Sequence, residues 1–177
     1  RNRLIEVEGE ARDDGPGGEF GLVRLGGIAL ADLEELGGFD WVGAVYPGNL
    51  LELFNKPSNV HNVEWTTRSV LDFLNTRSAG GDKPFFLYYG TTVPHGPDPW
   101  GKTKDGFTSG IDADPGYTAE GYRTDLDYSF MPSRASIKKE VAAGGFDVKH
   151  AWITWLDHSI GAIMRKLDER DLARAVD

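Results

Sequence analysis

Five consecutive apolar residues, Phe85-Phe86-Leu87-Tyr88-Tyr89, stand between Pro84 and Gly90. A run this short, bounded by proline and glycine, predicts a β-strand covered on both faces, the pattern of a strand inside an α/β sheet. Ahead of it the spacing predicts a helix over about 66–75, with Val70, Leu71 and Leu74 on one face and Arg68, Asp72 and Asn75 outward. Helix followed by buried strand is half of a βαβ unit, so the fold class expected is α/β.

The remaining pattern is uneven. Residues 4–8 and 20–25 predict short strands, residues 29–36 a helix ended by Gly37-Gly38, and residues 39–46 a further β-prone stretch. From Gly90 to Gly145 regular structure is sparse, apart from a short helix expected at 136–143 with Ser133 or Ser136 as its cap. Loops of that length in compact domains are uncommon and tend to carry function. The clearest periodicity comes last: Trp152, Trp155, Leu156, Ile160, Ile163 and Leu167 recur at spacings of three and four, predicting a helix over about 148–169. Asp171 to Asp177 read as a severed connection in which Leu172 and Val176 have nothing to support.

Composition narrows the function. The chain has 177 residues, enough for one domain or a piece of a larger one. No cysteine is present, which excludes disulfides, thiolate metal sites and cysteine nucleophiles in this chain. A net charge of −9 disfavours nonspecific attraction to nucleic acid or anionic membrane. No run of apolar residues is long enough to span a bilayer. The 23 glycines exceed the usual share of about 7%, yet their pairs form no G-x-G-x-x-G or G-x-x-x-x-G-K-S/T pattern, so they are expected to serve turns.

Among the chemical groups, His95 has the best setting. It lies just beyond the predicted buried strand, in Thr91-Thr92-Val93-Pro94-His95-Gly96-Pro97, and ligands of open α/β sheets bind outside the carboxyl ends of strands. Its imidazole could steady an oxyanion or protonate a leaving group, or it could be an ordinary loop histidine. Trp100, five residues on, is placed to line a substrate pocket. His61 is expected in a loop, and His150 and His158 on the surface or in packing. The acidic residues, including Asp112-x-Asp114 and Asp125-x-Asp127, lack a complete calcium-loop spacing and read as a solvated face.

Lys83-Pro84-Phe85-Phe86-Leu87 followed by Pro94-His95-Gly96-Pro97 resembles the K-P-F-F-L strand and P-H-x-P loop of the sulfatase family. Gly38-Phe39-Asp40 and the helix 66–74 resemble the segments before that strand. Trp155-Leu156-Asp157-His158-Ser159-Ile160-Gly161 through Leu167 resembles a later family helix. The resemblance spans roughly 38–167 and implies a large alkaline-phosphatase-type α/β domain that cleaves sulfate esters. It implies that His95 contacts the sulfate, that the substrate is a sulfated small molecule or carbohydrate, and that the parent uses calcium and a formylglycine made from cysteine or serine. It also favours a secreted or periplasmic home.

No segment here supplies that nucleophile or the metal ligands. Phe130-Met131-Pro132-Ser133-Arg134 resembles the formylglycine motif C/S-x-P-S-R, but Phe130 stands at the nucleophile position and Ser129 is one residue out of register. The expectation is therefore an internal segment of a sulfatase-like catalytic domain, with 90–145 as a long loop region on its active-site side, inactive as an isolated chain. A phosphoesterase or phosphonate hydrolase of the same fold, and a noncatalytic α/β binding domain, stay open at this point.

Overall fold

In the computed structural model, which describes residues 40–46, 60–79, 84–94 and 110–172, the elements run in a simple order. They are α1 (Val63–Asn75), β1 (Tyr117–Thr118), β2 (Gly121–Tyr122), α2 (Arg134–Ala143), a 3-10 turn at Val148–His150 and α3 (Ala151–Glu169). The described residues are thus mixed α and β, three α-helices with one small antiparallel pair in which Tyr117 faces Tyr122 and Thr118 faces Gly121. The predicted strands at 4–8 and 20–25 and the helix at 29–36 lie outside the described residues.

Each helix has a local reason for its limits. α1 starts three residues earlier than expected because Asn62 caps it, its side-chain oxygen accepting from the Trp65 amide at 2.9 Å. α2 starts at Arg134 because Ser133 accepts from the Ser136 amide at 3.2 Å. It ends where Gly145 takes a φ of 79° and Phe146 N–H reaches back to the Val141 carbonyl, the geometry that favours glycine past a helix end. α3 is led in by the 3-10 turn, whose Asp147 side chain accepts from the Lys149 amide.

The tail of α3 corrects one expectation. Asp171 takes a left-handed φ of 51°, and Leu172 N–H donates to the Leu167 carbonyl at 2.8 Å. This reversal folds Leu172 back onto the apolar cluster that contains Val70, Phe73 and Leu74. Leu172 therefore supports the end of α3, while Val176 lies outside the described residues.

Two apolar clusters hold the described residues together. The first joins Val63, Val93, Ile111, Met131, Ile137, Val141, Ala151, Trp155 and Ala162. The second is built on Val70, Phe73 and Leu74 of α1, with Trp41, Phe85, Leu87, Tyr89, Ile163 and Leu167 against it. Full burial of a side chain such as Leu74 contributes about 1.5–3 kcal/mol.

α3 meets α1 through Ile163 and Leu167 in the second cluster and, a turn earlier, through the small side chain of Ser159. Ala151, Trp155, Ser159 and Ala162 are its buried positions, whereas Ile153, Ile160 and Met164 are about half exposed. Ile160, expected on the buried face, is thus displaced from it. The reason is the close approach at Ser159, whose Oγ lies 2.7 Å from Thr67 Oγ1 of α1. Large side chains at that contact would hold the helices apart.

The run at 84–90 also differs from expectation. The sequence predicts a strand covered on both faces. Among the described residues it pairs with no other strand, and its side chains alternate, Phe85, Leu87 and Tyr89 packing inward while Phe86 and Tyr88 are 80% and 74% exposed. The alternation is that of an extended chain with one wall beside it. α1 and α3 supply that wall, and no described residue covers the opposite face. Of the β-prone stretch 39–46, the described residues 40–46 hold no strand; Ala44 takes a φ of 50°, and a Cβ on Gly43 would collide with Ser69 Oγ and the Trp41 ring.

Candidate functional site

The described stem that leads into the histidine loop is fixed at both ends. At its start Tyr89 OH lies 2.9 Å from Ser159 Oγ, 3.2 Å from Thr67 Oγ1 and 3.3 Å from Thr66 Oγ1. Thr67 in turn donates to the Val63 carbonyl at 2.6 Å. This knot of hydroxyls satisfies itself inside the α1–α3 contact and pins the stem at Tyr89. At its far end Thr91 Oγ1 accepts from the Val93 amide, and Val93 is 1% exposed in the first apolar cluster. Pro94 follows through a cis peptide. His95 and Trp100, the two site residues read from the sequence, lie outside the described residues.

Beside the Val93 seat stands a buried ion pair with no separate signal in the sequence. Arg134 Nε and Nη2 donate to the two carboxylate oxygens of Glu64 at 2.8 and 2.7 Å. Its Nη1 donates to the carbonyls of Gly110 and Ala113 at 3.2 and 2.8 Å, and its guanidinium lies 4.6 Å from the centre of the Trp155 ring. Glu64 is 3% exposed and Arg134 9%. A planar five-donor fork can serve a carboxylate, two carbonyls and an aromatic face at once, which a lysine cannot. The partners are 70 residues apart in the chain, and only the fold brings them together.

Asn62 does similar work on the next segment. Its Nδ2 donates to the Pro115 and Tyr117 carbonyls, both at 2.8 Å, and its backbone N–H donates to Tyr46 OH at 3.1 Å. Burial pushes the Tyr46 phenol far above the usual tyrosine range, and burial likewise pushes Tyr128 up to about 12.

The acidic residues at 112, 114, 125 and 127, expected as a solvated face, have protein partners. Asp114 accepts from the Gly116 amide and from Tyr122 OH, and Asp127 from the amide and hydroxyl of Ser129. Asp112 pairs with Lys138. Asp125 takes a two-pronged contact from Arg123, whose hydrogen bond holds its carboxyl down to about 2. Among the described residues no group of three or more His, Asp or Glu side chains could hold a metal ion.

The C/S-x-P-S-R near-match is used structurally. Phe130 packs against the first cluster, Met131 is buried in it, Ser133 caps α2 and Arg134 makes the ion pair. Ser129 Oγ is tied to Asp127 at 3.0 Å. These residues therefore fit neither calcium nor a formylglycine.

The remaining histidines take no common site. His61 is buried just ahead of α1, His150 is exposed at the start of α3, and His158 Nε2 meets Glu140 Oε2 at 2.8 Å. No described helix is long and apolar enough to cross a membrane. When the chain is compared with known proteins, no family model and no curated protein matches it.

Proposed function

We propose that this chain is part of a sulfatase-like hydrolase that cleaves sulfate esters, with His95 contacting the sulfate and Trp100 lining the substrate pocket. One observation carries the reading. The three segments that resemble the sulfatase family, namely the helix before the apolar run, the run itself and the helix containing Trp155-Leu156-Asp157, pack on one another, with Tyr89 hydrogen-bonded to Thr66 and Thr67 on one side and Ser159 on the other.

In this reading the run at 84–90 is a strand of an alkaline-phosphatase-type sheet, whose backbone edges pair with further strands of the parent domain and whose open face, Phe86 and Tyr88, is covered by its helices. His95 follows the buried Val93 by two positions in the sequence. There it donates a hydrogen bond to a sulfuryl oxygen or a proton to the leaving alcohol. The substrate is a sulfated small molecule or carbohydrate.

A phosphate ester presents a similar tetrahedral anion, so the test uses both. The complete protein carrying this chain is assayed on 4-nitrophenyl sulfate and 4-nitrophenyl phosphate. Preferential turnover of the sulfate is expected; turnover of the phosphate alone, or of neither, overturns the reading. The 177-residue chain by itself is expected to turn over neither ester, and activity from it would refute its dependence on a larger domain.

A further inference from the structure

We propose that Met164 is a reversible redox-modification site, whose thioether takes one oxygen from a peroxide and turns the outer stripe of α3 from apolar to polar. The site is independent of the sulfate-ester reading above. With no cysteine in the chain, its two methionines, Met131 and Met164, carry all of its sulfur. The fold treats them oppositely. Met131 is 7% exposed and lies in the first cluster with Ile137, Val141 and Trp155, whereas Met164 is 50% exposed. Its place on α3 explains the difference. Trp155 is fully buried, and Met164, about two and a half turns further on, stands on the opposite side of the helix. Ile153 and Ile160, 53% and 46% exposed, share that side, so three large apolar side chains form a stripe facing away from the core.

A thioether attacks a peroxide through a sulfur lone pair. The new S–O bond forms as the O–O bond breaks, and sulfur gives up two electrons to the departing hydroxide. That hydroxide takes the proton of the hydroxyl left on sulfur and leaves as water. Sulfur must meet the oxidant in solvent for this, so exposure sets the rate. At Met164 the unbranched, flexible side chain stands half in solvent. At Met131 close packing admits the oxidant only when the first cluster opens. The sulfoxide is polar, and at Met164 it enters the outer stripe and neither apolar cluster, so the fold survives the change. Methionine sulfoxide reductases, one for each epimer at sulfur, reverse it.

The complete protein is treated with hydrogen peroxide, and oxygen uptake at each methionine is followed by peptide mass mapping, in buffer and in concentrated urea. In the folded protein Met164 is expected to oxidise at least about tenfold faster than Met131, and in urea the two rates are expected to lie within about twofold of each other. Equal rates in the folded protein, or a Met164 that reacts only in urea, overturn the proposal. Both reductases together are expected to remove the oxygen from Met164 of the folded protein, and a sulfoxide that persists there refutes a reversible site.

Met164→Leu keeps the apolar volume but has no sulfur to oxidise. Retention on a hydrophobic-interaction column is expected to fall after peroxide in the unsubstituted protein and to stay unchanged in Met164→Leu. An equal fall in both places the polar change elsewhere, and overturns the link to the stripe. None of these readouts uses ester hydrolysis, so failure of the sulfate-ester reading leaves their outcomes untouched.

Discussion

Removing one partner of the Glu64–Arg134 pair should be far more damaging than removing both. Arg134→Met strips the Glu64 carboxylate of its two hydrogen bonds at a position 3% exposed and leaves the Gly110 and Ala113 carbonyls without their donor. Breaking a buried pair from one side costs about 3–5 kcal/mol, because a charge is left desolvated and uncompensated. For a chain of this size about 2–4 °C of melting temperature accompanies each kcal/mol, so a fall of about 6–20 °C is expected. Adding Glu64→Leu removes the stranded charge and should recover about 1–3 kcal/mol, the usual coupling between contacting residues. Recovery stays incomplete because the two carbonyls remain unpaired. Urea unfolding followed by tryptophan fluorescence measures all four members of the cycle. A single-variant loss below about 1 kcal/mol, the level of an exposed ion pair, would refute the buried-node account; so would strict additivity of the two changes.

Three further outcomes follow from the same geometry. Leu74→Ala, at a fully buried position of the second cluster, should cost about 2–5 kcal/mol in the same unfolding assay, and a cost below about 1 kcal/mol would mean that the cluster is not packed. Asp125 is held down to about 2 by Arg123, so any stability it contributes is present above the ordinary aspartate range and is lost as pH falls through that value. Arg123→Gln should move its carboxyl 13C titration midpoint up toward the ordinary aspartate range, and an unchanged midpoint would show that Arg123 is not the cause. Tyr46 and Tyr128 are raised by burial, Tyr128 up to about 12; their contribution is complete below about pH 10 and declines as pH rises past it. Tyr46→Phe should therefore flatten the alkaline loss of stability, and an identical profile would place the Tyr46 phenol in water.

Helices were the most legible part of the sequence, since an apolar stripe and a cap are local features. The helices expected at 66–75, 136–143 and 148–169 correspond to α1, α2 and the 3-10 turn with α3, displaced only where Asn62 and Ser133 cap earlier than the apolar pattern begins. Which face a helix buries was less legible. Counting large apolar residues placed Ile160 inside, but the α1–α3 contact brings Ser159 to within 2.7 Å of Thr67 and leaves Ile160 about half exposed. The apolar run at 85–89 gave a true signal of packing and a false one of two-sided cover, since a continuous apolar stretch looks the same whether one face or both are covered. The Glu64–Arg134 pair was out of reach: a charged residue reads as solvated until the fold supplies a partner 70 positions away. At the candidate site the sequence singled out His95 and Trp100 from loop context and family resemblance, while the surrounding anchors, Val93, Tyr89 and Ser159, acquire their meaning only from the packing.

The most direct test of the central claim is the kcat/KM of the complete protein for 4-nitrophenyl sulfate, measured beside His95→Ala. Loss of a group that donates to the reacting sulfuryl ester should lower it by about 10²–10⁴-fold, with 4-nitrophenyl phosphate a poor substrate for both. Undiminished sulfate turnover in His95→Ala, or a phosphate ester preferred over the sulfate, would contradict the account.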